Sequence, residues 1–178
     1  MIKRMLFLLG LLMLPGLLLA QTYTTHAGYA EFTGHTPLFS FKGSAHDLHG
    51  TINLSDSVVS FRLPVKSIDT GNNKRNRDMR KALKTKKNPN ISFSGKIINT
   101  NTPKSMEKDS ATVRGTFSVH GVSRQVTIRG LLKDMQDSVQ VRASWPLNIT
   151  DYNIKPPHVL FYSVEKRIDI HIEAVLKK

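Results

Sequence analysis

The chain has no cysteine. Disulfides, thiol catalysis, cysteine-ligated zinc and a lipid-modified N-terminal cysteine are all excluded, so the folded state rests on an ordinary apolar core. Acids are scarce as well: 13 Asp and Glu stand against 26 Lys and Arg, a formal net charge of +13. That imbalance favours anionic partners such as a membrane surface or nucleic acid. The chain contains no HExxH, no nucleophile elbow and no P-loop. Ser118 and Ser123 flank His120 with no acid nearby in sequence, so no hydrolytic triad is read there and no enzyme is expected. The most basic stretch, residues 72–87, lacks the stacking aromatics that nucleic-acid binding needs. His46 and His49 are three apart, which on a strand puts them on opposite faces where they cannot share a metal. The nearby Gly43 and Gly50 argue against the helix that would unite them, and no metal site is expected.

Only one long apolar run is present, Met5–Leu19, preceded by Lys3 and Arg4 and followed by Ala20-Gln21. A positive start, an apolar middle and a small residue at the boundary are the marks of a secretory signal peptide. A membrane-spanning helix needs roughly 20 apolar residues, and Pro15 and Gly16 interrupt this run. Cleavage is expected after Ala20, leaving residues 21–178 as one domain that is periplasmic or secreted. Loss of Lys3 and Arg4 takes the charge of +13 down by two to +11. Export disfavours nucleic acid as the partner.

What the chain has in quantity is alternation. Val59, Phe61, Leu63 and Val65 alternate with Ser60, Arg62, Pro64 and Lys66. Ile91, Phe93 and Ile97 keep that period around Gly95, and Val113, Phe117 and Val119 keep it around Gly115. Val126 and Ile128, then Val139 and Val141 leading to Trp145 and Leu147, and finally Ile168, Ile170 and Ile172 continue it. Residues 29–33 and 39–54 look similar but noisier, with Gly43 and Gly50 as markers of bulges or bends. A period of two marks strands with one apolar and one wet face. The sum is about eight strands with few helices to cover them. A flat sheet of that size leaves an apolar face and two edges bare. Closure into a barrel removes both problems, while a two-sheet sandwich uses the same alternation. Periodicity alone leaves the two open.

Residues 72–87 break the pattern and read as a helix, capped by Asn72 or Asn73 and ended by Asn88-Pro89. Met79, Ala82 and Leu83 form a narrow apolar stripe for docking. Lys74 and Arg75 oppose the helix dipole at its start, which either reflects a solvated face or hints at a role. Asn99–Ser110 reads as a polar hairpin loop and Asp151–His158 as an irregular connection.

Taken together, these segments resemble the YceI family of exported lipid-binding proteins. Val65–Arg80, VKSIDTGNNKRNRDMR, is similar to the family's strand end near "sidTgn" followed by an "RDxxLR"-like helix, with Arg77, Asp78 and Arg80 at its core. Asn88–Ile97, NPNISFSGKI, looks like its "yPtisF.s". Val113–Ile128, VRGTFSVHGVSRQVTI, is similar to its "v.G.ltihGvtkpv.l" hairpin, with Gly115, His120 and Gly121 aligned. In Leu147–Ile154, LNITDYNI, Thr150 replaces a frequent arginine. The resemblance spans roughly residues 22–176 and implies an eight-stranded antiparallel, lipocalin-like barrel with an apolar interior. It also implies a non-enzymatic carrier of a polyisoprenoid, an isoprenoid quinone or another fatty amphiphile, with no other cofactor.

The bulky inward members of each strand are then the expected liners: Phe32, Phe41, Phe61, Leu63, Phe93, Phe117, Val119, Val126, Ile128, Trp145, Leu147, Ile168 and Ile170. Tyr152, Arg77, Asp78 and His120 are placed at the mouth or site by the motif match alone. The alternative is a solid-cored cationic module, monomer or homodimer, that binds an acidic partner or the envelope surface. On the carrier reading, the basic helix would rest on an anionic leaflet.

Overall fold

In a computed structural model of the chain, residues 22–99, 109–159 and 162–178 are described. Eight antiparallel strands close into a barrel. They are β1 (Thr22–His35), β2 (Ser40–Asn53), β3 (Val58–Pro64), β4 (Asn90–Asn99), β5 (Ser110–Val119), β6 (Val122–Asp134) and β7 (Ser138–Asn148). A two-stranded ribbon of β8 (His158–Val159) and β9 (Tyr162–Ser163) intervenes before the eighth barrel strand, β10 (Arg167–Lys177). Sequential strands pair in turn, and β10 inserts between β7 and β1 to complete the ring. Ring closure removes the free edges that an open sheet would expose. The expected leader, residues 1–20, and positions 100–108 of the expected loop lie outside the described residues.

The period of two decides the faces. In β7, Val139, Val141 and Leu147 are buried while Gln140, Arg142 and Ser144 between them are exposed. One end of the barrel is packed solid: Tyr23, Ile52, Val139 and Leu176 meet there, none more than 1% exposed. At the other end lie the β1–β2 turn, a helix and the connection after β7. Gly95 and Gly115 pair directly across β4 and β5, and a Cβ on Gly95 would sit 2.5 Å from the Arg114 carbonyl oxygen.

Gly43 and Gly50 do not form bulges. Each sits in ladder register opposite a phenylalanine, Phe32 and Phe61, whose ring lies over the space a side chain would take. The β1–β2 register slips instead on either side of Gly28. The second slip lies between the Leu48 and Ala45 pairings, so Ala45 and Leu48, three apart, are both buried. His46 and His49 consequently share the outer face, against the expectation of opposite faces. The ring of His46 lies tilted against that of Tyr29, and His49 meets the ring of His26.

The helix, α1 (Asn73–Ala82), is shorter than the sixteen residues expected. Asn72 caps it by accepting from the Arg75 N–H at 3.0 Å. It ends because Lys84 turns left-handed (φ 49°), with the Lys84 N–H bonded to the Lys81 carbonyl and the Thr85 N–H to the Arg80 carbonyl, both at 3.0 Å. That pair of bonds is a Schellman closure, with lysine where glycine is usual.

Candidate functional site

Beyond the packed end the barrel is hollow. An inner compartment of about 150 Å³ lies between the strands. An outer one of about 800 Å³ extends beneath α1. Phe32, Ile68, Ile91, Phe117 and Ile170 line both, so the two abut along a shared apolar wall. The exposed residues Asn72, Lys74, Asp78 and His158 stand on the outer wall, and the hollow reaches the surface there.

The strand alternation places most of the expected liners. Phe61, Leu63, Phe93, Ile128 and Trp145 line the inner compartment; Phe41, Val119, Leu147 and Ile168 line the outer one; and Phe32, Phe117 and Ile170 line both. Val126 packs half-buried against the main core cluster without forming part of either wall. Tyr152 lies behind the wall: it is 3% exposed and meets the Phe117 ring edge-on, 5.6 Å between centroids. Burial, with help from the neighbouring Asp151, pushes its phenol above the ordinary tyrosine range.

Of the residues assigned to the mouth, only Asp78 lies on the hollow. Arg77 is exposed on the far side of the helix from it. His120 occupies the first central position of the tight β5–β6 turn, where it and Gly121 both have positive φ, 56° and 77°. Its Nδ1–H donates to the Tyr152 carbonyl at 3.0 Å, which ties the hairpin to the turn Ile149–Tyr152. His120 thus helps hold the barrel's end together. Asp69 Oδ1 accepts from Asn76 Nδ2 at 2.7 Å, and Asn76 Oδ1 accepts from Thr70 N–H and hydroxyl at 2.8 and 2.7 Å. Asp69 also exchanges backbone bonds with Ser44 of β2, and Arg80 Nη2 donates to the Lys66 carbonyl at 3.0 Å. These contacts clamp α1 across the barrel end.

The mouth is polar and mostly cationic. Lys74 and Asp78 pair at 2.7 Å one helical turn apart, and Lys74 holds the Asp78 carboxyl below its ordinary range. The Arg75 guanidinium lies 5.0 Å from the centroid of the Phe41 ring. Alternation missed the walls contributed from outside the strands. Met79 and Ala82 of α1 and the Leu83 that caps its end face the outer compartment, as do Ile149, Ile154 and Val164 from the connections around the ribbon. The apolar stripe of the helix was the one sequence signal for them. Lys74 and Arg75, noted there only for opposing the dipole, are mouth residues.

Residues 21–176 match the YceI-like domain family. No curated protein matches the sequence. Among solved structures, the chain is similar to Burkholderia cenocepacia BcnA, at 12% sequence identity and a TM-score of 0.69, covering 85% of this chain and 96% of that one. It is also similar to a polyisoprenoid binding domain from Saccharophagus degradans implicated in plant cell wall breakdown, at 12% identity and a TM-score of 0.71, over 89% of this chain and 98% of the other. A Campylobacter jejuni YceI protein is similar at 14% identity and a TM-score of 0.62, covering 81% and 88% respectively. At these identities the likeness is one of fold.

Proposed function

The chain belongs to the YceI-like domain family, and from that premise we propose that it is a carrier that holds the long apolar chain of an amphiphile inside its barrel. The observation that carries this reading is the hollow: compartments of about 150 and 800 Å³, walled by aromatic and aliphatic side chains and reaching the surface beside α1. The larger falls in the range of roughly 300–1,000 Å³ usual for ligand pockets. Each methylene taken from water contributes about 0.8 kcal/mol gross, so a dozen offset the cost of ordering the ligand without any polar chemistry. The fold relative from Saccharophagus degradans is described as polyisoprenoid binding, which supports a polyisoprenoid, isoprenoid quinone or fatty amphiphile here. The reading assigns no catalytic step. The hollow argues against the solid-cored alternative.

Periplasmic or secreted action after cleavage near Ala20 belongs to the same proposal. So does docking of the mouth end on an anionic leaflet, where clustered Lys and Arg contribute about 1 kcal/mol each. Exposed Lys74, Arg77 and Lys81 lie on α1, and Leu38, 70% exposed, lies at the β1–β2 tip beside the mouth. Titration with a fluorescent long-chain fatty probe tests the carrier: saturable binding at one probe per chain is expected, and no uptake would refute it. For docking, association with vesicles rich in anionic lipid is expected to weaken steeply as salt rises; salt-independent association would remove the electrostatic account.

A further inference from the structure

Four ionisable residues stand on the wall of the outer compartment: Lys74, Arg75, Asp78 and His158. Lys74 and Asp78 cancel each other in their ion pair at 2.7 Å. His158 is exposed, and its Nδ1 meets the Ser163 hydroxyl at 3.3 Å. Arg75 is different: half-buried, it forms no ion pair among the described residues. Its guanidinium lies 5.0 Å from the centroid of Phe41, and Nη1 donates to the Thr70 carbonyl at 3.4 Å. Phe41 and Thr70 line the same compartment. The ring and the one long bond hold the guanidinium against this wall, and neither neutralises it. Nε and Nη2 have no partner among the described residues and keep accessible surface, so they are free to bind a group at the mouth of the hollow. Arg75 also sits in the first turn of α1, where a cation opposes the helix dipole.

Resting on the carrier reading, we propose that Arg75 binds the head of the occupant and that this head is a carboxylate, that of a fatty acid anion. The guanidinium fork matches the two oxygens of a carboxylate. One unpaired cation also balances one negative charge, whereas a phosphate monoester brings nearly two. A cationic head is repelled, and a neutral head leaves the guanidinium unpaired beside an apolar hollow. The wall shared by the two compartments lies deeper than the mouth and receives the tail. The other cations of this region, Arg77 and Lys86 among them, are exposed and lie off the hollow, so they attract anions without fixing a head.

Dodecanoate and dodecanol, alike in tail, are the probes, and each is read by its displacement of a fluorescent fatty probe. Arg75→Gln is expected to lower the dodecanoate-to-dodecanol affinity ratio about tenfold. Lys86→Gln removes the same charge off the hollow and is expected to change that ratio by less than about twofold. An unchanged ratio in Arg75→Gln, or an equal fall in both variants, would overturn the proposal, while continued binding of dodecanol leaves the carrier intact. Binding of neither probe would remove the carrier reading and this proposal together. Should Arg75→Gln not fold, the unaltered chain decides the matter through dodecanoate enriched in ¹³C at its carboxyl. Beside Arg75 the bound carboxyl is expected to titrate below about pH 4.5, near the ordinary carboxyl value. A midpoint above that, as for a carboxyl lodged among apolar side chains with no cation, would overturn the proposal.

Discussion

Gly95 and Gly115 show how much one hydrogen atom in place of a side chain can decide. They face each other across β4 and β5, and a Cβ on either meets the opposing backbone. Gly115→Val is expected to destabilise the barrel by about 2–3 kcal/mol, measured as a lower urea midpoint at constant slope. Both glycines are visible in the sequence as interruptions of an alternating run, but their mutual contact is not, since register across strands has no local signal. The same holds for Gly43 and Gly50, which resemble bulge markers and instead lie under the rings of Phe32 and Phe61. Of the residues expected at the mouth, His120 lies elsewhere for a related reason, and Arg80 of the same family motifs shares it. His120 and Arg80 stand in recognisable motifs because they fix the barrel's end, through the Tyr152 and Lys66 carbonyls. A motif position reveals that a residue is needed without revealing for what.

The elements themselves were largely legible. Alternation of apolar residues located the strands, and the basic, asparagine-capped stretch located α1. The end of α1 was not legible, because the stop signal is a left-handed Lys84 (φ 49°) where a glycine would have announced it. Lys84→Gly removes that backbone strain and is expected to stabilise the chain by about 0.5–1 kcal/mol, seen as a rise in the thermal midpoint. No change, or a fall, would mean that the Schellman turn is held by Thr85 and its bonds to the Arg80 carbonyl instead. The ribbon of β8 and β9 was hidden by its shortness: two residues per strand leave no period to read. The slip between Ala45 and Leu48 was hidden likewise, and it alone moves His46 onto the face of His49.

At the scale of the whole molecule, alternation could not choose between a barrel and a sandwich; the family resemblance did, and the ring through β10 bears it out. The surface of this ring carries a shared acid sensitivity. The carboxyls of Glu31, Asp69, Asp78 and Glu173 are each held below their ordinary range, by hydrogen bonds from Lys42, Asn76, Lys74 and His171 respectively. A carboxyl whose folded pKa is depressed contributes stability that is present above its unfolded pKa, about 4, and is lost as pH falls through the folded value. The thermal midpoint is therefore expected to hold near neutrality and to drop below about pH 4, with the shares of Asp78 and Glu173, whose charged partners are exposed, smaller in high salt. A midpoint that stays level into strong acid would show that these contacts add nothing.

The hollow distinguishes a vessel from a merely folded domain, and native mass spectrometry of the full chain, purified without detergent or added lipid, tests it most directly. A species heavier than the bare chain by one amphiphile, reverting to the bare mass after extraction with organic solvent, is the predicted result. Bare chain alone, with no uptake when extracted envelope lipid is offered back, would contradict it.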